Sequence, residues 1–201
     1  MNRKIGMYAS LVNVIAVIGF ALSMLLGTNF GSYFCSSFIA FSFVPMISAF
    51  CIWAKAEAKL SGYTAIGFAI MYATIILLVY FAQMTTVQTG GLSEQATNIL
   101  DFQRFGLFFS YDMLGYALMA LSTFFAGLTV NAKSKADKWL KALLLIHGIF
   151  FISCFMMPML GLFTPNMEGS AWIGTAILMF WCIYFVPVGI LSCLHFSKCG
   201  E

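Results

Sequence analysis

The chain has 201 residues, of which 62% are hydrophobic, 17% aromatic and only 8% charged, and its formal net charge is +3. A water-soluble domain of this length needs far more charged surface, so a soluble globular fold is excluded. The same composition excludes a disordered chain, a disulfide-stapled secreted miniprotein and a nucleic-acid-binding protein. The sequence therefore predicts an integral membrane protein whose first partner is the lipid bilayer.

Six apolar runs are each long enough to cross about 30 Å of hydrocarbon as a helix. In chain order they cover residues 5–26, 33–53, 63–81, 106–130, 140–163 and 171–194. They are separated by short breaks that carry charges or turn-forming residues. We predict an all-α fold, with residues 1–201 forming a single bundle of six transmembrane helices.

The charges in the breaks predict how the bundle is oriented. If successive breaks alternate between the two sides, nine of the ten Lys and Arg residues fall on one side and only Arg104 falls on the other. Cytoplasmic loops carry the excess of positive charge, which predicts that both termini are cytoplasmic. Trp53 and Trp139 then lie at the inner interface and Trp172 at the outer one, where indole rings are enriched.

The longest break contains a predicted amphipathic segment on the outer side, at residues 92–104. Apolar residues recur there at helical spacing behind Ser93, a candidate N-cap, with Glu94 in the first turn. Two interpretations stay open at this point. The segment either covers a cavity from outside or is a tether that lies flat on the lipid headgroups.

Division of the chain at this segment leaves three predicted spans on each side, an arrangement that would make the two halves inverted repeats. Faint sequence echoes, such as residues 18–22 with 114–118, agree with this hypothesis. Pro45, Pro158 and Pro187 fall inside three of the spans and are predicted helix-break positions. Such breaks point either to a binding site or to static kinks.

Asp112 is the strongest candidate for a functional residue. It lies about six residues inside the fourth span, or about 9 Å deep at 1.5 Å per residue. Acidic residues at such depths commonly mark proton relays or ion pathways, and Tyr116 follows on the same helical face at i+4. The alternative is that Asp112 reaches headgroup water or bonds a neighbouring helix.

Two further polar residues lie inside predicted spans. His147 could relay protons, bind a ligand or simply bond a carbonyl group, and Asn13 is expected to line the same site or to join two helices. A cluster of soft sulfur donors, Cys154, Met156, Met157 and Met159, is a weak candidate for copper(I) transport, because methionines also serve as apolar filler throughout the chain. We expect no dedicated metal site.

Catalysis is not predicted. The sequence has no H-E-x-x-H or G-x-S-x-G motif, and it has no second intramembrane acid beside Asp112. An enzyme is therefore only the third interpretation, after the two functional hypotheses given below, and we expect no bound cofactor.

Three motifs carry a resemblance to a known group. The runs Tyr111–Met119, His147–Phe151 and Pro158–Gly161 resemble a group of small polytopic six-helix membrane proteins of Gram-positive bacteria. That group has no established activity to carry over. The resemblance implies a compact helical bundle in a bacterial plasma membrane.

Two functional hypotheses follow. The first is a small carrier or channel-like protein with an outward-facing polar cavity, in which Asp112 responds to protons or cations and a small molecule or cation is the substrate. The second is a membrane accessory protein that does not transport and binds a lipid or a partner helix. A homo-oligomer is compatible with both.

Overall fold

The computed structural model describes residues 1–163 and 170–199, and all the regular structure in these ranges is helical. The helices are α1 (Asn2–Leu25), α2 (Asn29–Trp53), α3 (Lys59–Ala82), α4 (Glu94–Leu100), α5 (Leu107–Thr129), α6 (Lys135–His147), α7 (Phe150–Met159) and α8 (Ser170–Lys198). The predicted break between the fifth and sixth spans, at residues 164–169, lies outside the described residues.

Six helical stretches are long and apolar enough to cross a membrane, which confirms the predicted number of spans. They are Asn2–Leu25, Asn29–Trp53, Ala56–Val87, Leu107–Thr129, Lys135–Met159 and Trp172–Lys198. The third span is longer than predicted because α3 continues into a π-helical turn at Gln83–Val87. The fifth span consists of two helices, α6 and α7.

Local chemistry explains where several helices begin and end. Gly27 has a positive φ of 67°, which lets the chain turn sharply between α1 and α2. The Nζ atom of Lys59 donates to the carbonyl groups of Cys51 and Ile52 at 2.7 and 2.9 Å, so a cation caps the end of α2. Ser134 begins α6 in a reciprocal capping box with the side chain of the third helical residue.

The central helices are α2 and α5. Helix α2 packs against α1, α3 and α5, while α5 also contacts α6 and α7. Helix α8 packs against α1 and α6, and none of the residues of α7 is buried. Helices α6 and α7 therefore lie at the edge of the bundle.

The start of α1 and the end of α8 lie at one end of the bundle. A Cβ atom added to Gly6, near the start of α1, would lie 3.0 Å from the Phe196 ring at the end of α8 and 2.8 Å from the Cβ atom of Ala49 in α2. The opposite end carries the α1–α2 turn and α4, and we call it the distal end. Small residues permit this close packing of helices, as is common in membranes.

Candidate functional site

A cavity of about 690 Å³ lies between the helices and reaches the α1–α2 turn at the distal end. Residues of α1, α2, α3, α5, α6, α7 and α8 line it, together with the segment that follows α4. Its wall is largely aromatic and apolar and includes the rings of Tyr33, Tyr80, Phe109, Tyr116, Phe150 and Trp181. A mainly apolar cavity of this size with a few polar groups is typical of sites for small organic ligands.

Asp112 lines this cavity from the second turn of α5, and only 4% of its surface is exposed. Its Oδ1 atom is buried without a hydrogen-bond partner among the residues that the structure describes, and the same holds for the hydroxyl group of Tyr116. Tyr80, on α3, is a polar neighbour of both groups. Because buried polar atoms normally have partners, two such atoms beside one cavity mark a position where a polar or charged group can be bound.

Asp112 also sets the sign of the charge in the cavity. It is the one carboxyl group in the wall, and no lysine or arginine lines the cavity within the described ranges. Arg104 is not among the residues that line the cavity, and its Nε atom lies 4.0 Å from the Oδ2 atom of Asp101. When Asp112 is ionised, its charge therefore has no basic side chain beside it in this wall.

His147 lines the cavity with both ring nitrogens already bonded. The indole N–H of Trp181 donates to Nε2 at 3.0 Å, and Nδ1 lies 2.7 Å from the hydroxyl oxygen of Thr123. An indole nitrogen can only donate, so Nε2 must accept and the proton must reside on Nδ1. The Thr123 hydroxyl group then accepts from Nδ1 and donates to the carbonyl group of Ala120 at 2.9 Å. The imidazole is consequently held as one neutral tautomer.

Asn13 lies apart from the cavity and joins α1 to α2. Its Nδ2 atom donates to the carbonyl group of Ile39 at 3.2 Å and to the hydroxyl oxygen of Ser42 at 3.0 Å. It is fully buried, and it is not among the residues that line the cavity. The structure therefore brings Asp112, Tyr116 and His147 together and leaves Asn13 as a link between helices.

Of the three prolines predicted to break helices, Pro158 lies next to a helix end, whereas Pro45 and Pro187 do not. Helices α2 and α8 continue through Pro45 and Pro187, and α7 ends one residue after Pro158. The fifth span is interrupted instead at Gly148, whose N–H donates to the carbonyl group three residues earlier at 3.1 Å. A Cβ atom there would lie 3.0 Å from the Cβ atom of Phe124, so the absence of a side chain lets α5 approach this tight turn.

The four sulfur-bearing residues of α7 do not converge. Cys154 and Met157 line the cavity, whereas Met156 and Met159 are 41% and 65% exposed on the surface of the bundle. No group of three His, Cys, Asp or Glu residues that could hold a metal ion occurs in the described part of the chain. This arrangement is typical of apolar packing around a helix.

The predicted amphipathic segment forms α4 and a short helical turn at Phe102–Arg104. The hydroxyl oxygen of Ser93 accepts from the N–H of Ala96 at 3.2 Å, as expected of its role as N-cap. The buried amide of Gln83 donates to the carbonyl group of Leu100 at 2.7 Å and accepts from the N–H of Phe102 at 3.0 Å. The segment is therefore tied to the bundle, and Phe102, Gln103 and Phe105 contribute to the cavity wall.

Sequence reasoning missed a polar contact at the end that carries the termini. The Nδ1 atom of His195 in α8 lies 2.7 Å from the Oδ1 atom of Asp137, whose other oxygen accepts from Ser134 in the capping box. The His195 ring also stacks on Phe50 of α2, with a centroid distance of 5.8 Å. The Ser-x-x-Asp pattern is a known helix-start signal and could have identified the acidic partner, but nothing in the sequence pairs it with His195.

We compared the chain with models of protein families, with curated proteins and with solved structures, and none of them matches it. The functional argument therefore rests on the cavity and on the residues that line it.

Proposed function

We propose that this protein is a small carrier or channel-like membrane protein with an outward-facing cavity that is largely apolar, in which the carboxyl group of Asp112 responds to protons or cations. One observation carries the proposal: a nearly buried carboxyl group with an unpartnered oxygen lines a cavity of about 690 Å³. Leaving this one oxygen without a partner among the described residues costs about 1–3 kcal/mol. Ionisable residues are retained inside membranes chiefly for function.

The orientation belongs to the same proposal. We place both termini in the cytoplasm of a bacterium and the distal end outside its plasma membrane, because nine of the ten Lys and Arg residues then lie on the inner side. The bacterial origin rests on the resemblance of the three sequence motifs. An origin in two inverted halves of three spans rests on the sequence echoes alone.

In the proposed mechanism, Asp112 exchanges a proton for a cation. A cation that enters from the distal end meets the carboxyl group beside Tyr80 and Tyr116, and ionisation of the carboxyl group releases one proton to the outside. The unpartnered oxygen supplies the counter-charge, and the aromatic wall excludes bulk water and so strengthens the attraction. The Asp112→Asn variant keeps the size of the side chain and is expected to lose this exchange.

A second candidate is a membrane accessory protein that binds a lipid or a partner helix. It is favoured by the exposed course of α7, which packs against α5 but has no buried residue, and in which Met159 is 65% exposed. A partner helix, or a second copy of the chain, would lie along α7. In this case Asp112 is not required to be reachable from outside.

The native cysteine Cys154 offers a direct test, because it lines the cavity. We expect a membrane-impermeant maleimide, added outside sealed right-side-out vesicles, to label Cys154 and to lose that label in the Cys154→Ser variant. Cys35 is removed by the Cys35→Ser substitution so that it does not contribute to the signal. A cysteine at the exposed Thr89 serves as the positive control.

Labelling of the Thr89→Cys control without labelling of Cys154 would contradict an outward-open cavity. A second measurement follows proton release from purified protein when a cation is added. Equal proton release by the wild type and Asp112→Asn would rule out the assigned role of the carboxyl group.

A further inference from the structure

The charge pattern of the cavity selects the class of ligand. Asp112 contributes a carboxyl group, and the described wall offers no lysine or arginine to neutralise it. An anionic ligand would meet repulsion from the ionised carboxylate and would find no cationic partner. A cation instead gains an unshared counter-charge in a region of low dielectric constant.

The size and chemistry of the wall argue against a bare metal ion. Metal ions such as Mg²⁺ or Ca²⁺ require several oxygen ligands at about 2.0–2.6 Å. Within the described residues no group of three His, Cys, Asp or Glu residues could supply them. A cavity of about 690 Å³ is also far larger than a dehydrated ion and has the volume of a drug-sized organic molecule.

Aromatic rings flank Asp112 on both sides along α5. Phe109 lies three residues before it and Tyr116 four residues after it, so all three share one helical face. The Phe109 ring packs on Phe102 with a centroid distance of 5.4 Å, and the Tyr116 ring packs edge-on against Trp181 at 5.6 Å. The carboxyl group thus lies between two aromatic clusters, all four rings of which line the cavity.

A carboxylate close to several aromatic rings is suited to recognise an ammonium group. Ring faces attract cations through their quadrupoles, most strongly for Trp and Tyr and in desolvated sites. A quaternary or tertiary ammonium group is weakly hydrated compared with a metal ion and is attached to apolar groups that the remaining wall can contact. Both parts of such a molecule find matching surface here.

We propose that the cavity binds an organic cation, an ammonium group carried on an apolar or aromatic body, with its charge at Asp112 between the rings of Phe109 and Tyr116. This inference rests on the proposed function, since it names the substrate class of the same cavity. It requires an accessible cavity but does not require transport.

The test compares two ligands of nearly the same shape that differ in charge, phenyltrimethylammonium and tert-butylbenzene. Calorimetric titration of the purified full chain in detergent is expected to show tighter binding of the cation. Asp112→Asn should weaken cation binding by at least about thirtyfold, the loss typical of removing one member of a desolvated charge pair. The same variant should leave tert-butylbenzene binding within about twofold.

Matched variants separate the charge from the rings. Glu94→Gln removes a carboxylate from the exposed first turn of α4, outside the cavity, and should leave binding unchanged. Tyr116→Phe keeps the ring and removes only the hydroxyl group, so it should weaken cation binding less than Tyr116→Leu does. Tyr116→Leu removes the ring and should weaken cation binding by about tenfold, with little change for tert-butylbenzene.

Three results decide the outcome. Equal binding of both ligands by wild type and Asp112→Asn would overturn the inference and indicate a purely apolar cavity. Failure of phenyltrimethylammonium to bind while Cys154 is labelled from outside would overturn the inference alone. Failure of both measurements would overturn the proposed function as well.

Discussion

Removing the carboxyl group of Asp112 should stabilise the protein. The Oδ1 atom is buried without a partner in the described part of the chain, so the folded state carries an unsatisfied acceptor. Replacing a buried unsatisfied group by an apolar one recovers about 1–3 kcal/mol. In Asp112→Leu the larger side chain has room, because it can extend into the adjoining cavity. We expect the free energy of unfolding to rise by about 1–3 kcal/mol.

A control on the same helix should change stability in the opposite direction. The hydroxyl group of Ser122 donates to the carbonyl group of Ala65 on α3 at 2.8 Å and is fully buried. Ser122→Ala removes a satisfied bond between two helices and should lower the free energy of unfolding by about 0.6–1.7 kcal/mol. Changes of opposite sign in the free energy of unfolding distinguish a residue kept for function from one kept for packing.

The assay is reversible unfolding in mixed micelles by increasing mole fractions of sodium dodecyl sulfate, followed by the helical circular-dichroism signal. Free energies are extrapolated linearly to zero denaturing detergent for wild type and both variants. A decrease for Asp112→Leu as large as that for Ser122→Ala would refute the reasoning. It would mean that the carboxyl group joins helices, as the alternative interpretation of the sequence holds.

Three further predictions concern the surroundings of the cavity. Trp181→Phe removes the indole N–H group that donates a hydrogen bond to His147, and so leaves a buried acceptor unpaired. The free energy of unfolding should fall by about 1–3 kcal/mol. Unchanged chemical unfolding would contradict the assigned tautomer. Gly62→Ala should destabilise the packing of α3 on α2, because a Cβ atom at this position would lie 2.9 Å from a backbone atom of Cys51. Gly67→Ala, where the added Cβ atom would face open space, should stabilise the protein by about 0.5–1 kcal/mol. Shifts of the thermal unfolding temperature in the same direction for both variants would refute this. Gln83→Leu removes the two hydrogen bonds to Leu100 and Phe102, at the end of α4 and just after it. Amide hydrogen exchange in this segment, measured by mass spectrometry, should become severalfold faster. Unchanged exchange would show that the segment is held by its aromatic contacts alone.

The number of spans could be predicted from the sequence because each crossing needs a fixed length of apolar chain. The start of α4 could also be predicted, since Ser93 and Glu94 act locally. Asp112 and Tyr116 were identified because a single carboxyl group stands out in an apolar helix and the residue at i+4 shares its face. Each of these predictions depends on the sequence of a single segment and not on how the helices pack.

The remaining features depend on how separate helices meet. Tyr80 and Trp181 reach the cavity from α3 and α8, and these helices are apolar on all sides, so no periodicity shows which face is turned inward. The break at Gly148 arises where α5 approaches the fifth span, which the sequence of that span does not show. Asn13 bonds α2 instead of lining the cavity for the same reason.

The fixed orientation of the His147 imidazole has a consequence for the path of a proton. A histidine that relays protons must accept a proton at one ring nitrogen and release a proton from the other. In His147, however, Nε2 accepts from the indole N–H of Trp181, and Nδ1 is bonded to the hydroxyl group of Thr123. If Asp112 takes up a proton as proposed, the ring would therefore block a route from Asp112 toward the end of the bundle that carries the termini. Such a proton would leave through the distal end until α5 and α8 separate, which favours a mechanism of alternating access over a continuous proton wire.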